Sequence, residues 1–92
     1  MFDEKRYWNR RYSRGRGSSL APRNKEEDAL ISDYINNFIK ARSVKSVLDL
    51  GCGDGEFLKL INCPDYYGID IAHVIIKKLN IEFKDEDAKN FY

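Results

Sequence analysis

Residues 49–55 read Asp49-Leu50-Gly51-Cys52-Gly53-Asp54-Gly55, three alternating glycines flanked by carboxylates. Without a Cβ, glycine lets the chain turn sharply and lets a ligand come close to the backbone. A plain turn with no ligand needs only one or two glycines, and each further one costs conformational entropy. In a G-x-G-x-x-G loop a pyrophosphate faces the start of a helix. Here the third glycine comes one residue early, and the charges of Asp49 and Asp54 disfavour a diphosphate and suit a ligand with a cationic end. Asp70 follows Gly55 by 15 residues and Gly51 by 19, near the ~20-residue offset at which such a loop is followed by a ribose-binding carboxylate. A carboxylate can accept from both hydroxyls of a cis-diol, or Asp70 can cap a helix starting beside it.

The elements that must position these groups follow from periodicity. Ser46-Val47-Leu48-Asp49-Leu50 is a short apolar run ending at the glycines, as a buried parallel strand does. Residues 56–61 form helix readily and stop before Cys63-Pro64-Asp65, where proline blocks continuation. Residues 66–71 are aromatic and β-branched, a second strand; Val74, Ile75, Lys77, Lys78 and Leu79 suggest a helix, and 81–84 a weaker third strand. Upstream, Asn24 and Glu27 fit a cap and its reciprocating acid, and Leu30, Ile31, Tyr34, Ile35, Phe38 and Ile39 recur at helical spacing, which predicts a helix over 25–42. Residues 1–23 read as a basic N-terminal arm, a short helix at 5–12 followed by loop through Gly15, Gly17, Ser18, Ser19 and Pro22. The domain proper is 24–92. Alternating strands and helices predict an α/β, Rossmann-like parallel sheet flanked by helices.

Val47 through Gly55, followed by Tyr67-Gly68-Ile69-Asp70, resembles the first two motifs of class I S-adenosylmethionine-dependent methyltransferases. The resemblance spans about residues 44–92. More loosely, Tyr7-Trp8-Asn9-Arg10-Arg11-Tyr12 and Gly15-Arg16-Gly17-Ser18-Ser19 resemble the segment leading into the cofactor site in some members. The resemblance implies S-adenosylmethionine as cofactor. It implies that Asp49 and the Gly51 and Gly53 backbone hold the methionine end, with Cys52 and Gly55 completing the loop, that Asp70 holds the ribose and Ile71 a face of the adenine, and that Asp87, before Ala88, meets the adenine amino group. It also implies a sheet with strands 3, 2 and 1 side by side and further strands beyond strand 1, so the expected domain is truncated after its third strand. Strand 1 would then expose an apolar edge to a second copy or a partner chain.

Composition bounds the rest. At 92 residues with 42% hydrophobic content, one small unit is expected. Cys52 and Cys63 have no metal-ligand spacing, so neither a metal centre nor a disulfide is expected. No apolar run approaches the ~20 residues of a membrane span, and the N-terminus lacks a signal peptide's apolar segment, so a cytoplasmic protein without membrane contact is expected. Residues 1–23 carry seven Lys/Arg against Asp3 and Glu4, while the remainder is net acidic. A basic arm with interleaved aromatics suits nucleic-acid backbone and bases, or it packs on its own acidic domain. The methyl acceptor and any catalytic residue stay unassigned: His73 takes no role, and Cys52 has no base beside it to make it a nucleophile.

Overall fold

The computed structural model describes residues 1–18, 24–63 and 65–92. The last residues of the expected arm, with Ser19 and Pro22, and the helix-stopping Pro64 lie outside them. Helix α1 runs Glu4–Ser13, α2 Lys25–Ala41 and α3 His73–Glu82; strands β1 Ser46–Leu50, β2 Asp65–Ile69 and β3 Lys89–Phe91 form one parallel sheet in the order β1-β2-β3. Ser46 sits opposite Asp65 and Leu50 opposite Ile69, while β3 pairs Lys89 with Tyr66 and Phe91 with Gly68. This is the α/β, Rossmann-like arrangement expected.

One face of the sheet carries the core. Tyr66, 1% exposed, packs with Phe91, Ala72, Ile75, Leu79, Leu58 and Tyr12, and Val47 and Trp8 pack against this cluster. Tyr12 belongs to the segment expected as an arm, and α1 lies against α3. The opposite face leaves Leu48, Leu50, Tyr67 and Ile69 exposed, as are Leu30, Ile31, Tyr34 and Phe38 of α2. Among the described residues β1 pairs only with β2.

Two expected elements differ. Over 56–61 the chain makes only one 3-10 turn, Leu58–Leu60. The Asn36 side chain of α2 donates to the Leu60 carbonyl at 2.8 Å and accepts from Asn62 N–H at 2.8 Å, using groups that a longer helix would need. The third strand is not 81–84: Ile81 and Glu82 complete α3, Phe83 follows in a turn, and the strand forms at Lys89–Phe91. Staying helical brings Phe83 round to meet the Phe91 ring at 5.5 Å, a contact that a strand at 81–84 would forgo.

Helix α2 starts as expected, Asn24 Oδ1 accepting from Glu26 and Glu27 N–H at 3.0 and 3.1 Å. It ends in a Schellman turn, with Val44 N–H donating to Ile39 and Ser43 N–H to Lys40. Ser43 occupies the left-handed position with φ 52°, where glycine carries no Cβ penalty. Ser43→Gly should therefore stabilise the chain by up to about 1 kcal/mol, read as a higher urea midpoint with unchanged slope; a lower midpoint would contradict this account of the turn.

Candidate functional site

At the carboxyl end of β1 and β2 lies a cleft of about 470 Å³, lined by Glu4, Trp8, Tyr12, Ser18, Leu50, Gly51, Gly53, Ile69, Asp70 and Ile71. Ligands of parallel sheets bind at this end of the strands. The floor comes from the two strands and their loops. The wall comes from α1, whose residues 4, 8 and 12 recur every four positions along one stripe of the helix.

The start of α3 explains why α1 sits there. Ala72, at the cap position, has no capping side chain, so the first N–H groups of α3 need outside acceptors. Asp70 Oδ1 accepts from Ala72 N–H at 2.9 Å, and Asn9 of α1 accepts from Val74 N–H at 3.0 Å. In return Lys78 of α3 donates to the Tyr12 carbonyl at the end of α1, 3.0 Å away. The other oxygen of Asp70 accepts from Gly53 N–H at 3.0 Å, so one carboxylate joins the glycine loop to the helix start. Asp70 thus fixes the residue that precedes α3, and it still faces the cleft with acceptor positions left over.

All three loop glycines have positive φ, 76° at Gly51, 62° at Gly53 and 79° at Gly55. Their surroundings differ. A Cβ on Gly53 would overlap the Ser18 hydroxyl, and one on Gly55 would stand 2.7 Å from Leu79 Cδ2, whereas Gly51 faces open space. Gly51 is therefore the glycine that leaves room in the cleft, while the other two admit packing. Ser18 stitches the N-terminal segment to the loop: its N–H donates to Asp54 Oδ2 at 2.9 Å, its hydroxyl accepts from Asp54 N–H at 2.7 Å, and Tyr12 Oη lies 3.0 Å from the same hydroxyl. Burial, together with the Asp70 and Asp54 charges, raises the Tyr12 pKa, so the phenol stays neutral.

Of the residues singled out in the sequence, Gly51, Gly53, Asp70 and Ile71 meet at the cleft. Asp49, Cys52, Gly55 and Asp87 do not line it. Asp49 shares a face of β1 with Val47, toward the core, and accepts a short hydrogen bond from the Tyr66 hydroxyl. Burial and that bond raise the Tyr66 pKa. The Cys52 side chain packs over Gly68, and burial, then Asp70 and Asp49, push its thiol up to about 12, so it is neither a thiolate nor a nucleophile at neutral pH. Asp87 lies in the turn before β3, at the end of the sheet away from the glycine loop, because the strand that was to precede it forms after it. Glu4, Trp8, Tyr12 and Ser18 line the cleft as well; Trp8, Tyr12 and Ser18 belong to the two N-terminal motifs whose resemblance pointed to the cofactor site, and Glu4 carried no such signal.

The Ser18 stitch can be tested directly. Ser18→Ala removes the acceptor for Asp54 N–H and the partner of Tyr12 Oη, which should cost about 1–2 kcal/mol and speed tryptic cleavage at Arg14 and Arg16. Unchanged cleavage kinetics would show that the stitch does not hold the segment.

A family model for the methyltransferase domain matches residues 23–91, a span holding β1, the glycine loop, β2, α3 and β3. No curated protein and no solved structure gives a significant match. With three quarters of its length matched, the chain belongs to the methyltransferase domain family.

Proposed function

We propose that the cleft binds S-adenosylmethionine and that the chain serves methyl transfer from it. The observation that carries this reading is the state of the loop's N–H groups. Those of Gly51 and Cys52 both donate to the Ile69 carbonyl, that of Gly53 to Asp70, that of Asp54 to Ser18 and that of Glu56 to Asp54. A diphosphate would need such donors free. With Glu4 and Asp70 also lining it, the cleft repels phosphate and suits a ligand bearing hydroxyls and positive charge. Its volume lies within the ~300–1,000 Å³ of small-molecule sites.

When bound, S-adenosylmethionine supplies a sulfonium methyl group that passes to a nucleophile as the C–S bond breaks and sulfur keeps the electron pair. The contribution of the chain is positioning. The remaining lone pairs of Asp70 accept from the ribose hydroxyls; Leu50, Ile69 and Ile71 offer apolar surface to the adenine. Gly51 lets the backbone approach the methionine end. Trp8 and Tyr12 close the opposite side against water. Asp49, Cys52 and Gly55 act behind the cleft, in the packing that shapes the loop, and Asp87 has no part. The methyl acceptor is unassigned.

Calorimetric titration with S-adenosylmethionine, S-adenosylhomocysteine and NAD tests the reading. The first two should bind and NAD should not; tighter NAD binding would overturn it. Asp70→Ala should weaken S-adenosylhomocysteine by about 1.5–3 kcal/mol, the range for hydrogen bonds to a charged group. It should also lower the melting temperature, because Gly53 and Ala72 lose their acceptor. Undiminished affinity in the folded variant would remove Asp70 from ribose recognition.

A further inference from the structure

The stripe of α1 next to the one lining the cleft is cationic. Tyr7, Arg10, Arg11, Arg14 and Arg16 surround a depression of about 70 Å³ on its outer side. Asp3 and Glu4 are the only acids among residues 1–18, and both are placed elsewhere: Asp3 accepts from Arg6 N–H as the cap of α1, and Glu4 lines the cleft. Arg11 Nε donates to the Gly17 carbonyl at 2.7 Å, which folds the loop back and brings Arg16 beside the helix. Among the described residues no carboxylate pairs with Arg10, Arg14 or Arg16. Three arginines thus stand together with their charge unanswered, although the chain as a whole carries only +1.

Aromatic rings border this patch. Tyr7 is 37% exposed and Phe2 67%, with ring centroids 5.4 Å apart. Tyr7 meets Trp8 edge-on at 5.2 Å, and Trp8 lines the cleft. Planar guanidinium groups take phosphate oxygens in pairs, and exposed rings stack on unpaired bases. An acidic peptide would use the charges and leave the rings idle. A membrane surface would need a row of apolar residues facing outward, but Trp8 and Tyr12 turn toward the cleft and the core.

We infer that the Arg10/Arg14/Arg16 face of α1, with Tyr7 at its border, binds single-stranded nucleic acid. This goes beyond the methyl-transfer reading and does not depend on it, since binding is measured without cofactor.

The test is fluorescence anisotropy of the full chain with a labelled oligouridylate of about 16 nucleotides, the upper end of a single binding site, over a salt series. Affinity should fall with salt along a log–log slope between about −2 and −3, as three or four phosphate contacts on a single strand require. Arg10→Gln with Arg14→Gln should weaken binding about tenfold and flatten the slope by about 1.4. Tyr7→Ala should weaken binding at least about fivefold with little change in slope, the mark of lost stacking. Thermal melts check that each variant is folded. Three outcomes would overturn the inference: no binding at low salt, equal binding by the folded double arginine variant, or tighter binding to polyglutamate or to phosphatidylserine vesicles than to the oligouridylate.

Discussion

Helix α3 begins with backbone N–H groups that its own first turn cannot satisfy, and the cleft is built from the groups that answer them. Asp70 takes the N–H of Ala72 and, through its second oxygen, holds Gly53; Asn9 reaches from α1 to Val74. These contacts fix the glycine loop, the end of β2 and the N-terminal helix relative to one point. Because α1 is bound by side chain to backbone at both its middle and its end, its Glu4–Trp8–Tyr12 stripe becomes a wall of the cleft. A segment that composition marks as a basic arm is thereby part of the site.

Packing contacts shape two of the three glycines of the loop. Ser18 fills the space at Gly53 and Leu79 that at Gly55, while Gly51 alone looks into the open. The N–H groups of Gly51, Cys52, Gly53, Asp54 and Glu56 are spent on Ile69, Asp70, Ser18 and Asp54, which leaves few donors for an anion. Charge then sorts the two sides of α1. The Glu4 carboxylate faces the cleft and the guanidinium groups of Arg10 and Arg14 face away from it, on neighbouring stripes of one short helix.

Much of this was legible in the sequence. The apolar run into glycines gave β1 to the residue, and Asn24 and the 3.6-residue spacing gave α2, because local preference suffices there; β1, expected as a buried strand, has no fully buried residue. Where tertiary packing competes with local preference, the sequence misled. Ile81 and Phe83 alternate with Glu82 and Lys84 as in a strand, but the Phe83–Phe91 contact keeps the chain helical, and β3 and Asp87 shift accordingly. The turn at Leu58–Leu60 stays short because of Asn36, 24 residues away from the carbonyl it binds, and no local window contains that contact. The placement of Asp49 was readable: two-residue alternation puts it with Val47 on the core side, away from Leu48 and Leu50. The spacing that marks α2 does not say what covers it: Leu30, Tyr34 and Phe38 are exposed.

The central claim is that α1 and the glycine loop form two sides of one ligand site. A ¹⁵N-resolved NMR titration with S-adenosylhomocysteine addresses it most directly. The account predicts the largest shifts together at the Gly51, Gly53, Asp70 and Ile71 amides and at the Trp8 indole N–H, all with one dissociation constant. Saturable shifts confined to α2 or to the turn before β3, with Trp8 unmoved, would contradict it.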